Sequence, residues 1–231
     1  MQLTERNIQI LKIIVDEYLE TWEVLGSKLL LQKYDLWVSS ATVRADMAKL
    51  EKLELVFQPY NSAWRLPTSK GLRAFVNFLM SSTPNYLLNE KNIEVWTNNI
   101  KKLSDFVHKI TYELAKNTWE IAFFVIPEKN IIEYSWISNF IQKNQKKLWD
   151  EIFMIIKMLE DKFNFANFVS KFPINPWINT FIWEENFVTY LKNYSIIIKP
   201  INIDWEMWYI WIIWWLQMNY SFNISAVNWI I

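Results

Sequence analysis

Apolar residues recur at helical spacing near the start of the chain. Ile8, Leu11, Ile14, Val15, Tyr18 and Leu19 share one face of residues 4–20, with Thr4 placed to cap the first turn. A second short helix is expected over SKLLLQKY, capped by Ser27. A third is expected over 40–53, where Val43, Met47, Leu50 and Leu53 form a stripe. The opposite, N-terminal face of that third helix presents Ser40, Thr42, Arg44 and Ala45. Two extended runs, LVFQPY and WRLPT, joined by NSA, predict a hairpin, and helical periodicity resumes over 69–80. SSTPN, at 81–85, carries the strongest linker signal. Residues 86–118 read as one or two amphipathic helices with Ile100, Leu103, Val107, Ile110 and Leu114 on a stripe. IAFFVI (121–126) reads as a strand ended by Pro127, and 148–170 as helix. INTFIW, YSIIIKPI and MWYIWIIWWLQM read as β runs, and SFNISAVNWII as the start of a last helix. The pattern predicts an α+β protein with one domain over 1–80 and a second over 86–231.

Charge narrows the functional classes. The 231 residues carry 24 basic and 24 acidic side chains, so a polycationic nucleic-acid coat is excluded and any DNA binding must come from a local patch. One patch exists: between Glu54 and Glu90 there is no acid, while Arg65, Lys70 and Arg73 are all present. The absence of Cys removes disulfides, thiol nucleophiles and cysteine zinc sites. His108 stands alone and reads as a helix-surface residue rather than a metal ligand. The acids Glu184, Glu185, Asp204 and Glu206 read as strand-end turn residues rather than a catalytic pair, so neither an enzyme nor a cofactor is expected. MQLTERNIQI carries charges where a signal peptide needs an apolar stretch. The run Met207 to Leu216 is ten residues, roughly half of a membrane span. A cytoplasmic protein without membrane contact is expected.

Three short helices followed by a basic hairpin make a winged helix-turn-helix, whose third helix enters the major groove with its N-terminal side chains at base edges. Arg44 suits bidentate bonding to guanine, and Ser39, Ser40 and Thr42 suit phosphates or bases. The helix starts at Ser27 and Ser40 add backbone NH groups that favour phosphate. Arg65, near the wing tip, suits the DNA backbone or the adjacent minor groove. The DNA-facing candidates are Ser27, Lys28, Ser39, Ser40, Thr42, Arg44, Tyr60, Ser62, Arg65 and Lys70.

The segments ETWEVLGSKLL, DLWVSSATVRADMAKLEKLELV and AWRLPTSKGLR strongly resemble the N-terminal domain of the HrcA family of heat-inducible transcription repressors, nearly continuously over 4–78. INTFIWEENF and MWYIWIIWWLQMNYSFNISAV resemble two later family segments. The resemblance implies a winged helix-turn-helix, a helical connector and a GAF-like mixed α/β dimerisation domain. It further implies a homodimer on an inverted-repeat operator upstream of chaperone genes, release on heat stress, and a GroEL-type chaperonin as partner. The chain departs from the family pattern in several places. Tyr60 replaces the wing His, Ala45 an Asn, and Gln217 an Arg, and the last helix is shortened. The inserted dimerisation subdomain is largely missing between about Phe124 and Ile137, which puts family-style dimer geometry in question. The competing expectation is a ligand-responsive winged-helix regulator with the C-terminal domain as effector pocket.

One count is abnormal: glycine occurs twice and tryptophan fifteen times. At about 7% Gly, about 16 would be expected. Turns and helix caps need residues that tolerate positive φ, which Trp does not. Trp22, Trp37, Trp64, Trp183, Trp208, Trp211 and Trp214 all fall on glycines of the family pattern. The codon UGA is read as glycine in some bacterial lineages and as tryptophan under another table. The expectation is that most of these positions are glycine in the native organism, the alternative being a Trp-rich protein. The aromatic run at 205–215, which could suggest a ligand cage, would then vanish.

Overall fold

The computed structural model describes residues 3–21, 38–59, 65–82, 100–138, 172–186, 191–203, 205–216 and 218–229, together with 141, 153, 156, 157, 159, 160, 165, 168 and 169. The expected helix beginning at Ser27 and the expected wing tip lie outside these residues, as does most of the expected helix at 148–170. The chain divides into two compact units, Met1–Ser82 and Thr83–Ile231.

In the first unit, α1 spans Glu5–Thr21. The Thr4 hydroxyl accepts from Asn7 N at 3.2 Å, which is the expected cap. Ile10, Leu11, Ile14 and Val15 are buried, so the apolar stripe faces the core. Helix α2 spans Ser40–Lys52 and buries Val43, Met47 and Leu50. Strands β1 (Val56–Phe57) and β2 (Leu66–Pro67) pair antiparallel with Val56 opposite Pro67. Helix α3 spans Ser69–Ser82 and buries Leu72, Phe75 and Val76. The linker assignment at 81–85 therefore needs correction at its start. Ser81 and Ser82 form the last turn of α3, their hydroxyls donating to Phe78 O at 2.8 and 2.9 Å. Serine hydroxyls can bond back to a helix carbonyl in the last turn, so serine here continues the helix instead of breaking it.

Asp16 on α1 carries a measurable consequence. Burial pushes its carboxyl up to about 6; Glu20 and Glu17 push the same way and Lys12 opposes them. A raised acid favours the neutral form in the fold. Its contribution is complete below about pH 4 and is lost as pH rises through about 6. We expect Asp16→Asn to remove about 1 kcal/mol of that loss, a figure reduced for solvent screening at this partly exposed site. Urea unfolding of parent and variant at about pH 4 and about pH 7 checks it: the variant should gain stability at the higher pH and not at the lower.

The second unit holds α4 (Ile100–Thr118), β3 (Ile121–Ile126), β4 (Ile131–Ser135), β5 (Asn179–Ile182), β6 (Tyr194–Ile203), β7 (Glu206–Trp215) and α5 (Tyr220–Trp229). Leu103, Val107, Ile110 and Leu114 are buried along α4, as their spacing predicts. The five strands form one antiparallel sheet in the order β4-β3-β7-β6-β5. Every residue of β3 is buried, which requires cover on both faces. Helices α4 and α5 pack on the sheet and on each other, while the ring of Phe165 lies 5.7 Å from that of Phe123. This mixed architecture is compatible with a GAF-like domain. Strand β4 was not expected from sequence; β3 turns back through Pro127–Lys129 and Asn130, leaving Ile126 opposite Ile131. Lys199 is buried in β6 and donates to Asn228 O at 2.9 Å, and burial lowers its pKa.

Candidate nucleic-acid interface

The N-terminal end of α2 gathers four of the candidate side chains. Ser39 is the N-cap: its extended backbone (φ −73°, ψ 157°) turns the hydroxyl onto Thr42 N at 3.2 Å. The Ser39 and Thr42 hydroxyls lie 2.9 Å apart, exposed. Arg44 is exposed and folds back one turn, with Nε donating to Ser40 O at 3.2 Å and Nη2 to Ser40 Oγ at 3.3 Å. The result is a small surface bearing three hydroxyls, one guanidinium and the NH groups of a helix start. Such a surface can hold a phosphate or reach a base edge.

Arg65 and Lys70 are not part of that cluster. Arg65 directly precedes β2 and donates to Glu51 Oε2 through Nη2 at 3.0 Å and Nε at 3.2 Å. Lys70, in the first turn of α3, pairs with Glu54 Oε2 at 3.0 Å, both side chains well exposed. Glu51 is eleven residues along α2 from Ser40, which at 1.5 Å per residue puts these cations about 16 Å from the helix start. The structure thus resolves the candidates into two patches, one at each end of α2. Arg73 reaches Asn77 Oδ1 at 3.5 Å along α3. Ser27, Lys28, Tyr60 and Ser62 lie outside the described residues.

Sequence reasoning missed the polar group that ties α2 to α1. Asp46 is 7% exposed and sits on the apolar stripe of α2. Its Oδ2 accepts from Arg6 Nε at 2.6 Å and its Oδ1 from Asn7 Nδ2 at 2.8 Å. Asn7 is fully buried, and its Oδ1 accepts from Lys49 Nζ at 2.7 Å and from Thr4 N at 3.2 Å. The hydrogen bond to Asp46 raises the already high pKa of Arg6, and the nearby negative charge adds to the effect. A carboxylate interrupting a hydrophobic stripe was the signal available in the sequence.

In the second unit, Glu185 serves a turn, Glu206 lies at the start of β7, and Asp204 lies outside the described residues. Glu185 Oε2 accepts from Ile182 N at 2.8 Å. Buried Asn186 donates to the carbonyls of Trp183, Leu191 and Tyr194 at 3.1, 3.0 and 2.7 Å, so the Glu-Asn dipeptide clamps the end of β5 to the start of β6. Glu206 pairs with Lys129, whose hydrogen bond lowers the Glu206 pKa. His108 Nδ1 lies 2.6 Å from Glu133 Oε1, bridging α4 to β4. No group of three or more His, Cys, Asp or Glu side chains among the described residues is placed to hold a metal. No helix among them is long and apolar enough to cross a membrane.

No family model matches the chain. A crystal structure of a hypothetical protein at 2.2 Å resolution matches 99% of this chain and 96% of its own, with a TM-score of 0.71 and 16% identity, which shows a shared fold. Curated relatives carry a name. The heat-inducible transcription repressor HrcA of Clostridioides difficile (strain 630) is 40% identical over 122 residues, 51% of this chain. That of Alkaliphilus metalliredigens (strain QYMF) is 39% identical over 122 residues, also 51% of the chain. That of Acidothermus cellulolyticus (strain ATCC 43068 / DSM 8971 / 11B) is 38% identical over 125 residues, 54% of the chain. The matched stretch covers only 36%, 36% and 37% of these three relatives' own lengths. Over about half of its residues, the chain is similar to proteins named heat-inducible transcription repressor HrcA.

Proposed function

We propose that this protein is a DNA-binding transcriptional repressor of heat-shock genes, with residues 1–80 as a winged helix-turn-helix. The reading rests on one observation above all: the 40% identity to a repressor over 122 residues. The surface at the start of α2 supplies chemistry that suits it. In this reading α2 is the recognition helix, Arg44 swings off Ser40 to a base edge, and Ser39, Ser40 and Thr42 take phosphate. Arg65 and Lys70 leave Glu51 and Glu54 for the DNA backbone on the wing side. The unit over 86–231 joins two copies, matching an inverted-repeat operator, since one small winged helix seldom supplies enough specific affinity alone. Repression occludes the promoter in the cytoplasm. Heat lowers the folded, dimeric population, and a GroEL-type chaperonin restores it.

Operator binding tests this reading. Arg44→Ala should lose about 1–3 kcal/mol of specific binding and relax selectivity at one base pair in each half-site. Lys70→Ala should weaken binding to every sequence alike and reduce the salt slope by about 1. Titrations against an inverted repeat and a single half-site, over a salt series and a temperature ramp, separate the two effects. Unchanged operator preference in Arg44→Ala would remove α2 from the recognition role.

A groove between α4 and α5, lined by Leu114, Asn117, Phe222, Ser225, Ala226 and Trp229, keeps a second reading in play. In it, the same DNA-binding head answers to a small apolar molecule held there. A small molecule that shifts operator affinity at constant temperature would favour it over thermal release.

A further inference from the structure

The backbone asks for glycine where the chain carries tryptophan. Among the described residues, six other than glycine have clearly positive φ: Glu54, Asn130 and four tryptophans, Trp119 (62°), Trp136 (73°), Trp183 (59°) and Trp205 (70°). Asparagine is a tolerated occupant of the left-handed region; a bulky aromatic is not. No described glycine uses positive φ at all.

Two of these positions, 119 and 205, are ones that glycine serves for a known geometric reason. Trp119 follows the last residue of α4, and its N–H bonds to Ala115 O at 2.8 Å. That bond, from the first residue past the helix to the carbonyl four back, is the left-handed helix stop in which glycine predominates. Trp205 lies in the β6–β7 hairpin, where Ile203 pairs with Glu206 and leaves only Asp204 and Trp205 between them. Two-residue hairpin loops favour Asp-Gly, because their twist needs positive φ. Trp183 opens the turn that leaves β5, its carbonyl receiving Asn186 N at 3.0 Å. Trp136 directly follows β4.

Packing offsets little of the strain at two of these positions, the Trp119 ring meeting that of Trp136 edge-on at 5.1 Å. The side chain of Trp205 is 96% exposed and that of Trp119 is 62% exposed. Burial of the indole would be the usual compensation for an unfavourable backbone, and here there is little. From these four geometries and the count of two glycines against fifteen tryptophans, we infer that residues 119, 136, 183 and 205 are glycine in the protein made by its own cell. The codon written as tryptophan is decoded there as glycine.

Two measurements decide this. The first reads the gene and the native product: the four codons should be UGA, and peptides of the protein purified from its own cells should carry Gly at all four positions. A UGG codon or a Trp-bearing peptide at any of them overturns the inference. The second uses the chain as written, expressed with tryptophan throughout. Trp119→Gly and Trp205→Gly should each raise the folded-to-unfolded ratio about 5–30-fold, the equivalent of relieving one left-handed residue. An unchanged or lowered ratio in both would show that these backbone positions do not call for glycine, and would overturn it too.

Discussion

Gly71→Ala should strongly destabilise the N-terminal unit, against the direction that helix propensity alone predicts. Gly71 lies in the first turn of α3, and its N–H donates to Thr68 Oγ1 at 3.0 Å. A Cβ built there would meet Leu55 O at 1.9 Å, Leu55 C at 2.9 Å and Leu55 Cα at 3.3 Å. These are backbone atoms, so no rotamer change opens space. Leu55 is itself fixed: its N–H donates to Leu50 O at 3.0 Å and its carbonyl accepts from Thr68 N at 3.1 Å. Glycine is therefore needed for close approach between the α2–β1 connection and α3, not for an unusual φ. In an ordinary helix, Gly→Ala gains about 1 kcal/mol. Here the methyl must push α3 off Leu55, and we expect a loss of about 3 kcal/mol or more, at the top of the overpacking range. That is a large share of a small unit's stability, on the order of 5 kcal/mol. Hydrogen exchange at α1 and α3 amides reads this unit separately from the sheet. Protection that stays equal or rises would mean that α3 relaxes freely and that the close approach carries no weight.

How much of this architecture was legible depended on whether the deciding contacts were local. The stripe of α1, the Ser39-capped start of α2 and the long apolar runs of β6 and β7 follow from periodicity and capping chemistry within a few residues. Strand β4 did not, because it is an edge strand with only Ile132 and Ser135 buried, and Pro127 before it reads as a terminator. The end of α3 was misplaced because serine hydroxyls that signal a loop can equally bond back to a helix carbonyl. For the candidate interface, the residues at the start of α2 were legible together because they are neighbours in sequence. The pairing of Arg65 with Glu51 and Lys70 with Glu54 was not, since each joins residues 14 and 16 positions apart through the hairpin. The sequence shows an acid-free basic stretch; the fold supplies its acids from α2 and the turn that follows it.

Asp46 offers the second large effect, because it is a charge on an apolar stripe whose partners lie about forty positions earlier in the chain. Asp46→Ala removes the acceptor for both Arg6 Nε and Asn7 Nδ2. Arg6 is half exposed and recovers water. Asn7 is fully buried and cannot, so its amide loses a partner inside the α1–α2 contact. We expect a loss of about 2–3 kcal/mol, short of the full cost of stranding a buried charge because the guanidinium escapes to solvent. Asp46→Asn should cost less, since its one remaining side-chain oxygen still accepts from buried Asn7, while the bond from Arg6 Nε is lost and that guanidinium turns to water. Arg6→Ala should cost least, because that end of the network is wet. Denaturant unfolding should therefore rank the three variants, from least to most stable, as Asp46→Ala, then Asp46→Asn, then Arg6→Ala. The ranking also tests the pose of α2. If Arg6→Ala proved as damaging as Asp46→Ala, the ion pair rather than the buried amide would be what holds α2 against α1. The hydroxyl-bearing start of that helix would then depend on a solvent-exposed contact that salt can screen. If the expected ranking holds, the contact is anchored from within by Asn7, and α2 keeps its orientation when the ionic strength changes.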